Sequence, residues 1–301
     1  MGDGVEVKTL WPALPLDSWR DTRDTLQMWT QIAGKVCLAL TPRVNHYWNI
    51  AMQVTPRGLA TLPMRAGDRT VTLTFDFVSH ELVLLLSDGT RDAIPLRPQT
   101  VADFYRAFLE MLRRHAIGVK IWPMPVEVPE PIRFEQDTTH HAYDADAARR
   151  CFDVLLAAKP VFDDFRAQFL GKCSPLHFFW GGFDLAMTRF SGRPAPERPG
   201  ADAVTRESYS HEVISHGWWP GSGAVNEPAF YAYAAPEPDG LKTARVAPAA
   251  AFYSTEMSLF ILPYEAVRTS ATPEADLRAF LDSTYEIAAR LAKWDRAALE
   301  R

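Results

Sequence analysis

The stretch HFFWGGFDLAMTRFSGR, residues 177–193, follows the pair Gly171-Lys172 and sets an aspartate and two arginines among aromatic residues. A weaker counterpart occurs earlier in the chain, where Gly34-Lys35 precedes His46-Tyr47-Trp48 and the segment runs on to Arg57-Gly58. Self-similarity of this kind indicates that one structural unit occurs twice. The chain is therefore expected to contain two related halves.

Two further pairs of segments occur in the same order. DFVSHE at 76–81 matches ESYSHE at 207–212, and VADFYRAFL at 101–109 matches EADLRAFL at 274–281. Because all the matches keep one order along the chain, they predict an internal duplication.

The predicted fold class is α+β, with two pseudo-repeated halves that are each a mostly antiparallel sheet flanked by helices. Residues 1–121 are predicted to form the first repeat, and residues 145–301 the second repeat, which carries the candidate site. Between them lies a proline-rich connector at 122–144, whose composition is typical of extended chain.

Secondary structure is predicted from the spacing of apolar residues. Strands are predicted at 46–55, 70–77, 80–87, 183–190, 205–214, 229–235 and 258–263. Helical stripes are formed by Leu26, Trp29, Ile32 and Ala33, by Phe104, Phe108, Met111 and Leu112, and by Phe280, Tyr285, Ala288 and Leu291. Residues 152–170 are also predicted to be helical, although Pro160 interrupts them.

Composition restricts the possible partners. The chain has 301 residues and a net charge of −5, without a block of lysines and arginines. Nucleic acid and an anionic membrane are therefore not expected as partners, because both need a basic surface. The three cysteines, Cys37, Cys151 and Cys173, lie far apart, and Met1–Thr9 carries no apolar signal core. The expected location is cytoplasmic, and the sequence leaves the cofactor and the oligomeric state unknown.

Two long motifs, residues 177–193 and 209–221, resemble a bacterial protein family known as domain of unknown function 5996. Shorter segments that share the resemblance are 31–35, 45–48, 75–77 and 102–105, together with Asp137, His140 and Tyr143. His216 departs from the family pattern, which has a small residue there. The resemblance covers nearly the whole chain but implies no activity.

Alternation along the predicted strands separates the ionisable side chains into two faces. In the strand at 183–190, Asp184 lies on one face and Arg189 on the other. In the segment 205–216, Glu207, Tyr209 and His211 share a face, and Glu212 and His216 share the opposite one.

Asp184 and Arg189 stand among apolar residues, and a buried charge needs a partner. We expect Asp184 to meet an arginine such as Arg193 or Arg206. Arg189 is expected to meet Glu207, Glu212 or an anion of the ligand. Internal ion pairs that brace the fold are the structural alternative.

These considerations give a candidate site in the second half. The predicted catalytic residues are His211, Glu207, Asp184 and Arg189, and the predicted substrate-binding residues are His177, Trp180, Arg193, Tyr209 and Trp218. No metal ligand is assigned, because Glu207 and His211 are four strand residues apart, about 13 Å, which is too far to bind one ion.

Three hypotheses about function remain open. The preferred one is a small-molecule enzyme with acid/base residues in a pocket between the two halves. The second is a non-catalytic small-molecule-binding or interaction protein. The third is a metal-dependent enzyme that uses His177, His211, Glu212 or His216. No phosphate-binding loop, dinucleotide fingerprint, nucleophile elbow or zinc-protease motif is present to decide between them.

Overall fold

The structure is a computed structural model that describes residues 10–223 and 225–301. The first nine residues of the predicted first repeat, with the segment expected to lack a signal core, lie outside the described residues. The helices are α1 Arg20–Leu40, α2 Val101–Arg114, α3 Ala145–Ala167, α4 Ala203–Ser208, α5 Tyr264–Arg268, α6 Pro273–Leu291 and α7 Arg296–Leu299.

The strands form two antiparallel sheets, one in each half of the chain. In the first half they are β1 Gln53–Val54, β2 Gly58–Ala60, β3 Met64–Ala66, β4 Arg69–Asp76, β5 Glu81–Leu86 and β6 Arg91–Pro95. In the second half they are β7 His177–Phe179, β8 Asp184–Pro194, β9 His211–Trp219, β10 Ala229–Ala235, β11 Phe252–Ser254 and β12 Leu259–Pro263.

The first sheet has the order β1-β2-β4-β5-β6 with β3 beside β4, and the second has the order β11-β12-β10-β9-β8-β7. Each half therefore contains a long helix, a six-stranded antiparallel sheet and a closing helix. This arrangement confirms the predicted fold class. The common origin of the two halves stays a prediction from the sequence.

The two sheets meet edge to edge. The backbone N–H groups of Met52 and Phe178 each donate to the other residue's carbonyl, at 2.9 and 2.8 Å. One continuous hydrophobic core extends through both halves. The helices α3, α5 and α6 pack on one face of the second sheet, and α1 with the connector faces the other. This second face becomes the candidate site.

Local capping explains where several helices begin. Thr100 accepts a hydrogen bond from the backbone of Asp103 at the start of α2, and Asp144 accepts one from Ala147 at the start of α3. No helix in the described part of the chain is long and apolar enough to cross a membrane.

Two predicted strands are partly wrong. Residues 45–50 form a short 3₁₀ turn, because His46 and Tyr47 adopt left-handed backbone angles, with φ of 58° and 56°. The segment 205–214 begins as helix α4, since the side chain of Asp202 caps the backbone N–H groups of Val204 and Thr205. Glu207 therefore lies on a helix, and the strand alternation predicted for 205–210 does not apply.

Candidate functional site

Two adjoining cavities, of about 810 and about 640 Å³, lie between the second sheet and the segments packed against its open face. We call them together the interface groove. Helix α1 and the connector line both cavities, and the 3₁₀ turn at 45–50 with helix α4 lines the smaller one. The residues common to both cavities are Glu127, Gly182, Asp184, Tyr231 and Tyr233. The centre of the groove is therefore a pair of carboxyl groups beside two tyrosines.

Asp184 is placed in the groove by the hairpin that joins β7 to β8. The turn consists of residues 180–183, and Phe183 adopts a φ of 56° immediately before β8 begins. The side chains of Asp184, Ala186 and Thr188 then face the groove, as strand alternation predicts. Tyr231 is on β10, which β9 separates from β8. Its hydroxyl donates a 2.6 Å hydrogen bond to Asp184 Oδ2.

Glu127 comes from the connector, and its backbone is also left-handed, with a φ of 57°. A residue with a side chain pays roughly 1 kcal/mol for this conformation, which persists only where its surroundings impose it. A Cβ atom added to Gly182 would lie 2.8 Å from Asp184 Oδ1 and 3.3 Å from Glu127 Oε2. The two carboxyl groups therefore face each other across a turn that glycine leaves open.

Two glutamines on α1 hold the segments that carry these acids. Gln31, which is fully buried, accepts from the backbone N–H of Val126 and donates to its carbonyl, both at 2.8 Å. One turn earlier, Gln27 Nε2 donates to the carbonyl of Gly181 at 2.6 Å. Helix α1 of the first half thus positions Glu127 and the turn before Asp184 at the same time.

Burial sets the protonation of the pair. Removal from water raises the pKa of Asp184 to about 7, and the nearby charge of Glu127 adds to this effect, while the Tyr231 hydrogen bond opposes it. Burial also raises the pKa of Glu127, with a further contribution from Asp202. Near neutral pH Asp184 can therefore both give up and take up a proton, beside a second carboxyl group whose pKa is also raised.

Hydroxyl groups continue along the sheet from this pair. The hydroxyls of Tyr233 and Tyr209 are 3.0 Å apart, and those of Thr188 and Ser215 are 2.8 Å apart. Burial raises the pKa of Tyr233 well above its usual range, so its hydroxyl keeps its proton. Aromatic walls enclose this floor, and they include Tyr47, Trp48, Trp122, Phe179, Trp180, Phe190 and Trp219.

His140 lines the larger cavity and is held by a buried aspartate behind it. His140 Nδ1 is 2.7 Å from Oδ2 of Asp137, whose side chain is fully buried and also accepts from the backbone N–H groups of Thr139 and His140. The hydrogen bond to Asp137 raises the pKa of His140. This pair also holds the connector against α2, because Ala102 N–H donates to the carbonyl of Asp137.

Arg189 is separated from Asp184. Its guanidinium lies on the helix side of the sheet, 3.6 Å from the ring centroid of Phe165 and 4.2 Å from that of Tyr285, and it donates to the Phe165 carbonyl. Burial lowers the pKa of Arg189 to about 10. The expected partners Glu207, Glu212 and a ligand anion are replaced by aromatic faces and a carbonyl.

Glu207 and His211 lie beside the groove and do not line either cavity. The carboxylate of Glu207 pairs with Arg43 at 3.3 Å, and His211 Nδ1 contacts the hydroxyl of Ser210 at 3.1 Å. His46 Nδ1 donates to the Glu207 carbonyl at 3.1 Å, and its Nε2 accepts from Lys172 at 2.7 Å. The structure thus brings these predicted residues near His46 but not next to Asp184.

The predicted substrate-binding residues divide into two groups. Trp180 and Tyr209 line the smaller cavity, and Trp180 is fixed by a 2.9 Å hydrogen bond to the carbonyl of Ile50. His177 is buried beneath Trp48, and burial lowers its pKa to about 4, so the imidazole is neutral.

Arg193 and Trp218 lie elsewhere. Arg193 pairs with Glu212 at 2.6 Å and donates to the carbonyls of Ala292 and Lys293, which ties β8 to the end of α6. Trp218 is fully buried on the helix side of the sheet beside Tyr264. The expected Asp184–Arg193 and Asp184–Arg206 pairs do not form, since Asp184 bonds to Tyr231.

The residues considered for a metal do not converge. His216 is buried on the helix side, where Nε2 lies 3.1 Å from the hydroxyl of Thr284, and Glu212 is held by Arg193. His177 and His211 are on the opposite face. Among residues 10–223 and 225–301, no three histidine, cysteine, aspartate or glutamate side chains are grouped as metal ligands.

Most residues of the groove are not among the predicted site residues. Glu127, Gln27, Tyr231 and Tyr233 were not predicted as site residues, and Gln31 was noted only within a motif. A usable signal existed for Glu127, because it is an acid between two valines, Val126 and Val128, in the connector.

Comparison with known proteins gives a family but no activity. The model of a family described as "Family of unknown function (DUF5996)" matches residues 11–301. No curated protein and no solved structure shows significant similarity to the chain. Since the match covers nearly the whole sequence, the chain belongs to the DUF5996 family.

Proposed function

We propose that the protein is a small-molecule enzyme in which Asp184 and Glu127 transfer protons to and from a substrate bound in the interface groove. The observation that carries the proposal is the pair of facing carboxyl groups at the point where the two cavities meet. Paired carboxyls with displaced pKa values are a recurring arrangement in acid–base catalysis.

The environments of the two acids suggest their roles. Asp184, with a pKa of about 7, remains largely protonated below neutrality and can donate a proton. Glu127, which faces Asp184 across Gly182 and whose pKa is also raised by burial, is the candidate for the base. A pKa near the working pH is the most effective for proton transfer. The Tyr231 hydroxyl orients the carboxyl group of Asp184.

A purely structural role explains the pair less well. A carboxylate that braces a fold is normally paired with a cation, since burial of an unpaired charge destabilises the folded state. In the described part of the chain, neither Asp184 nor Glu127 has a cation among the groups that shift its pKa. Such unfavourable arrangements are retained mainly at functional sites.

A binding protein without chemistry is the second candidate, and the aromatic walls of the groove support it. Trp48, Trp122 and Trp180 line the smaller cavity, and such rings enclose ligands whether or not a reaction follows. The cytoplasmic location and the common origin of the two halves are further proposals that rest on the sequence.

The test is a comparison of wild type with Asp184→Asn and Glu127→Gln in a metabolite extract. Each protein is incubated with the extract, and mass spectrometry follows the amount of every compound over time. We expect wild type to consume at least one compound, and both variants to do so about 10²- to 10⁴-fold more slowly, the range for loss of a general acid or base.

The matched control is Asp239→Asn, at an exposed aspartate without an ion pair in the described structure, which should act like wild type. Consumption at an unchanged rate by Asp184→Asn contradicts the proposed roles. A compound that binds to wild type and to all the variants without being consumed would instead support a binding protein without chemistry.

A further inference from the structure

Lys35 is a cation within the smaller cavity of the groove. It lies on α1 one turn, about 6 Å along the helix axis, after Gln31, which holds the Glu127 segment. Only 5% of the residue is exposed, and its Nζ lies 5.1 Å from the ring centroid of Trp122 and 5.8 Å from that of Trp180. The ammonium group is thus enclosed by aromatic rings next to the cavity.

No anion of the protein balances this charge within residues 10–223 and 225–301. The ammonium group has three donors, yet no hydrogen-bond acceptor or carboxylate contacts it there. Burial lowers the pKa of Lys35 to about 8, and no neighbouring carboxylate offsets the effect. Two arginines that line the larger cavity differ, since Arg20 pairs with Asp17 and Arg23 with Asp24.

We propose that Lys35 binds an oxyanionic group of the ligand, a carboxylate or a phosphate, in the smaller cavity. This inference rests on the proposed function and specifies its substrate class. The ligand has an acidic group at Lys35 and a proton-exchanging centre that reaches Asp184 and Glu127. Lys35, Asp184 and Glu127 line the same 640 Å³ cavity, and a cavity of this volume suits a small metabolite.

The competing explanation is structural. In it, Lys35 serves only to attach Trp122 of the connector to α1 through cation–π contacts. The two explanations differ in one respect, because a cation that only supports two rings gives the cavity no affinity for anions.

The experiment titrates the protein with inorganic phosphate and, separately, with acetate at constant ionic strength. The indole N–H signals of Trp122 and Trp180 are followed by NMR. We expect saturable shifts in wild type, with affinity at least tenfold weaker in Lys35→Met and within about threefold of wild type in Lys35→Arg. Shifts with phosphate alone, or with acetate alone, identify the oxyanion.

The pH dependence of acetate binding by Asp184→Asn is a second test, because in wild type the Asp184 carboxyl group, with a pKa of about 7, ionises in the same interval and repels the anion. Acetate keeps its charge between pH 7 and pH 9, whereas Lys35, with a pKa of about 8, loses its proton in that interval. The acetate affinity of Asp184→Asn should therefore fall roughly tenfold from pH 7 to pH 9, and it should fall much less when Lys35→Met is added, which controls for ionisation of Glu127. Affinity independent of pH, equal affinity in Lys35→Met, or no saturable shift in wild type overturns the proposal.

Asp184→Asn separates this result from the proposed function. It removes the acid and leaves Lys35 in place, so it should bind the anion at least as tightly as wild type. If anion binding is absent while Asp184→Asn still abolishes turnover, only the role of Lys35 fails. If anion binding depends on Lys35 and Asp184→Asn leaves the turnover rate unchanged, only the proposed acid–base roles fail.

Discussion

Asp184→Asn is expected to raise the free energy of unfolding by about 2–4 kcal/mol above pH 8, although the same change removes an acid of the proposed site. The folded protein holds Asp184 with a pKa of about 7, whereas an aspartate in the unfolded chain has a pKa of about 4. Ionisation therefore costs more in the folded state than in the unfolded state. The amide keeps the shape and can still accept the Tyr231 hydrogen bond.

The sign of the pH dependence follows from this displacement. Between about pH 4 and pH 7 the unfolded chain releases the Asp184 proton and the folded protein keeps it, so wild-type stability falls as the pH rises through this interval. Above about pH 8, where Asp184 is ionised in the folded protein as well, the difference is constant. Asp184→Asn does not lose stability in this way. The difference between its free energy of unfolding and that of wild type should therefore grow from nearly zero at pH 4 to about 2–4 kcal/mol at pH 8.

Urea denaturation at pH 4, 5, 6, 7 and 8 measures the effect, with Asp239→Asn as the matched control at an exposed position. The control should follow wild type at every pH. An Asp184→Asn variant that is less stable than wild type at pH 8 would show that the carboxylate stabilises the fold, which contradicts the account.

Gly217→Ala should lower the free energy of unfolding by about 2–4 kcal/mol and disturb the acid pair from a distance. Gly217 lies on β9 directly opposite Tyr231, and an added Cβ would be 2.1 Å from the Leu185 carbonyl oxygen and 2.3 Å from Tyr231 Cζ. Contacts so short force the tyrosine ring to move. The hydroxyl then leaves Asp184, and the pKa of Asp184 rises further, since that hydrogen bond lowers it.

Two variants separate crowding from the loss of the hydrogen bond. Tyr231→Phe removes the hydroxyl without adding an atom, so it should raise the pKa of Asp184 with a smaller loss of stability. Gly118→Ala is the matched control, because Gly118 has open space around its Cβ position. Thermal and urea unfolding compare them, and equal stability of Gly217→Ala and Gly118→Ala would contradict the described packing.

The sequence predicted the fold class and the regular elements well because those depend on local periodicity. The predicted strand at 229–235 has the bounds of β10, and the strand at 183–190 lies within β8 apart from its first residue. Alternation along β8 also placed Asp184 and Arg189 on opposite faces, as the structure confirms.

The acid pair could not be predicted, because its geometry depends on distant contacts. Glu127 belongs to an irregular connector, and its position is set by Gln31, 95 residues from the bonded Val126. Capping by Asp202 converts a segment with strand-like alternation into a helix, which moved Glu207 away from the predicted face. Periodicity contains no information about either effect.

Arg189 shows how a correct physical premise led to a wrong partner. A buried guanidinium does need compensation, and the structure supplies it through the faces of Phe165 and Tyr285 and a backbone carbonyl. The partners expected for Arg189 were all anions. Aromatic partners on α3 and α6 are far from Arg189 in the chain, so no spacing rule identifies them.

The titration of the Asp184 carboxyl carbon by ¹³C NMR tests the central claim most directly, with the signal assigned by its loss in Asp184→Asn. We expect an apparent pKa near 7, since the carboxyl group is removed from water beside Glu127. A value near 4, the ordinary value for an exposed aspartate, would contradict the account of a buried acid that exchanges its proton near neutral pH.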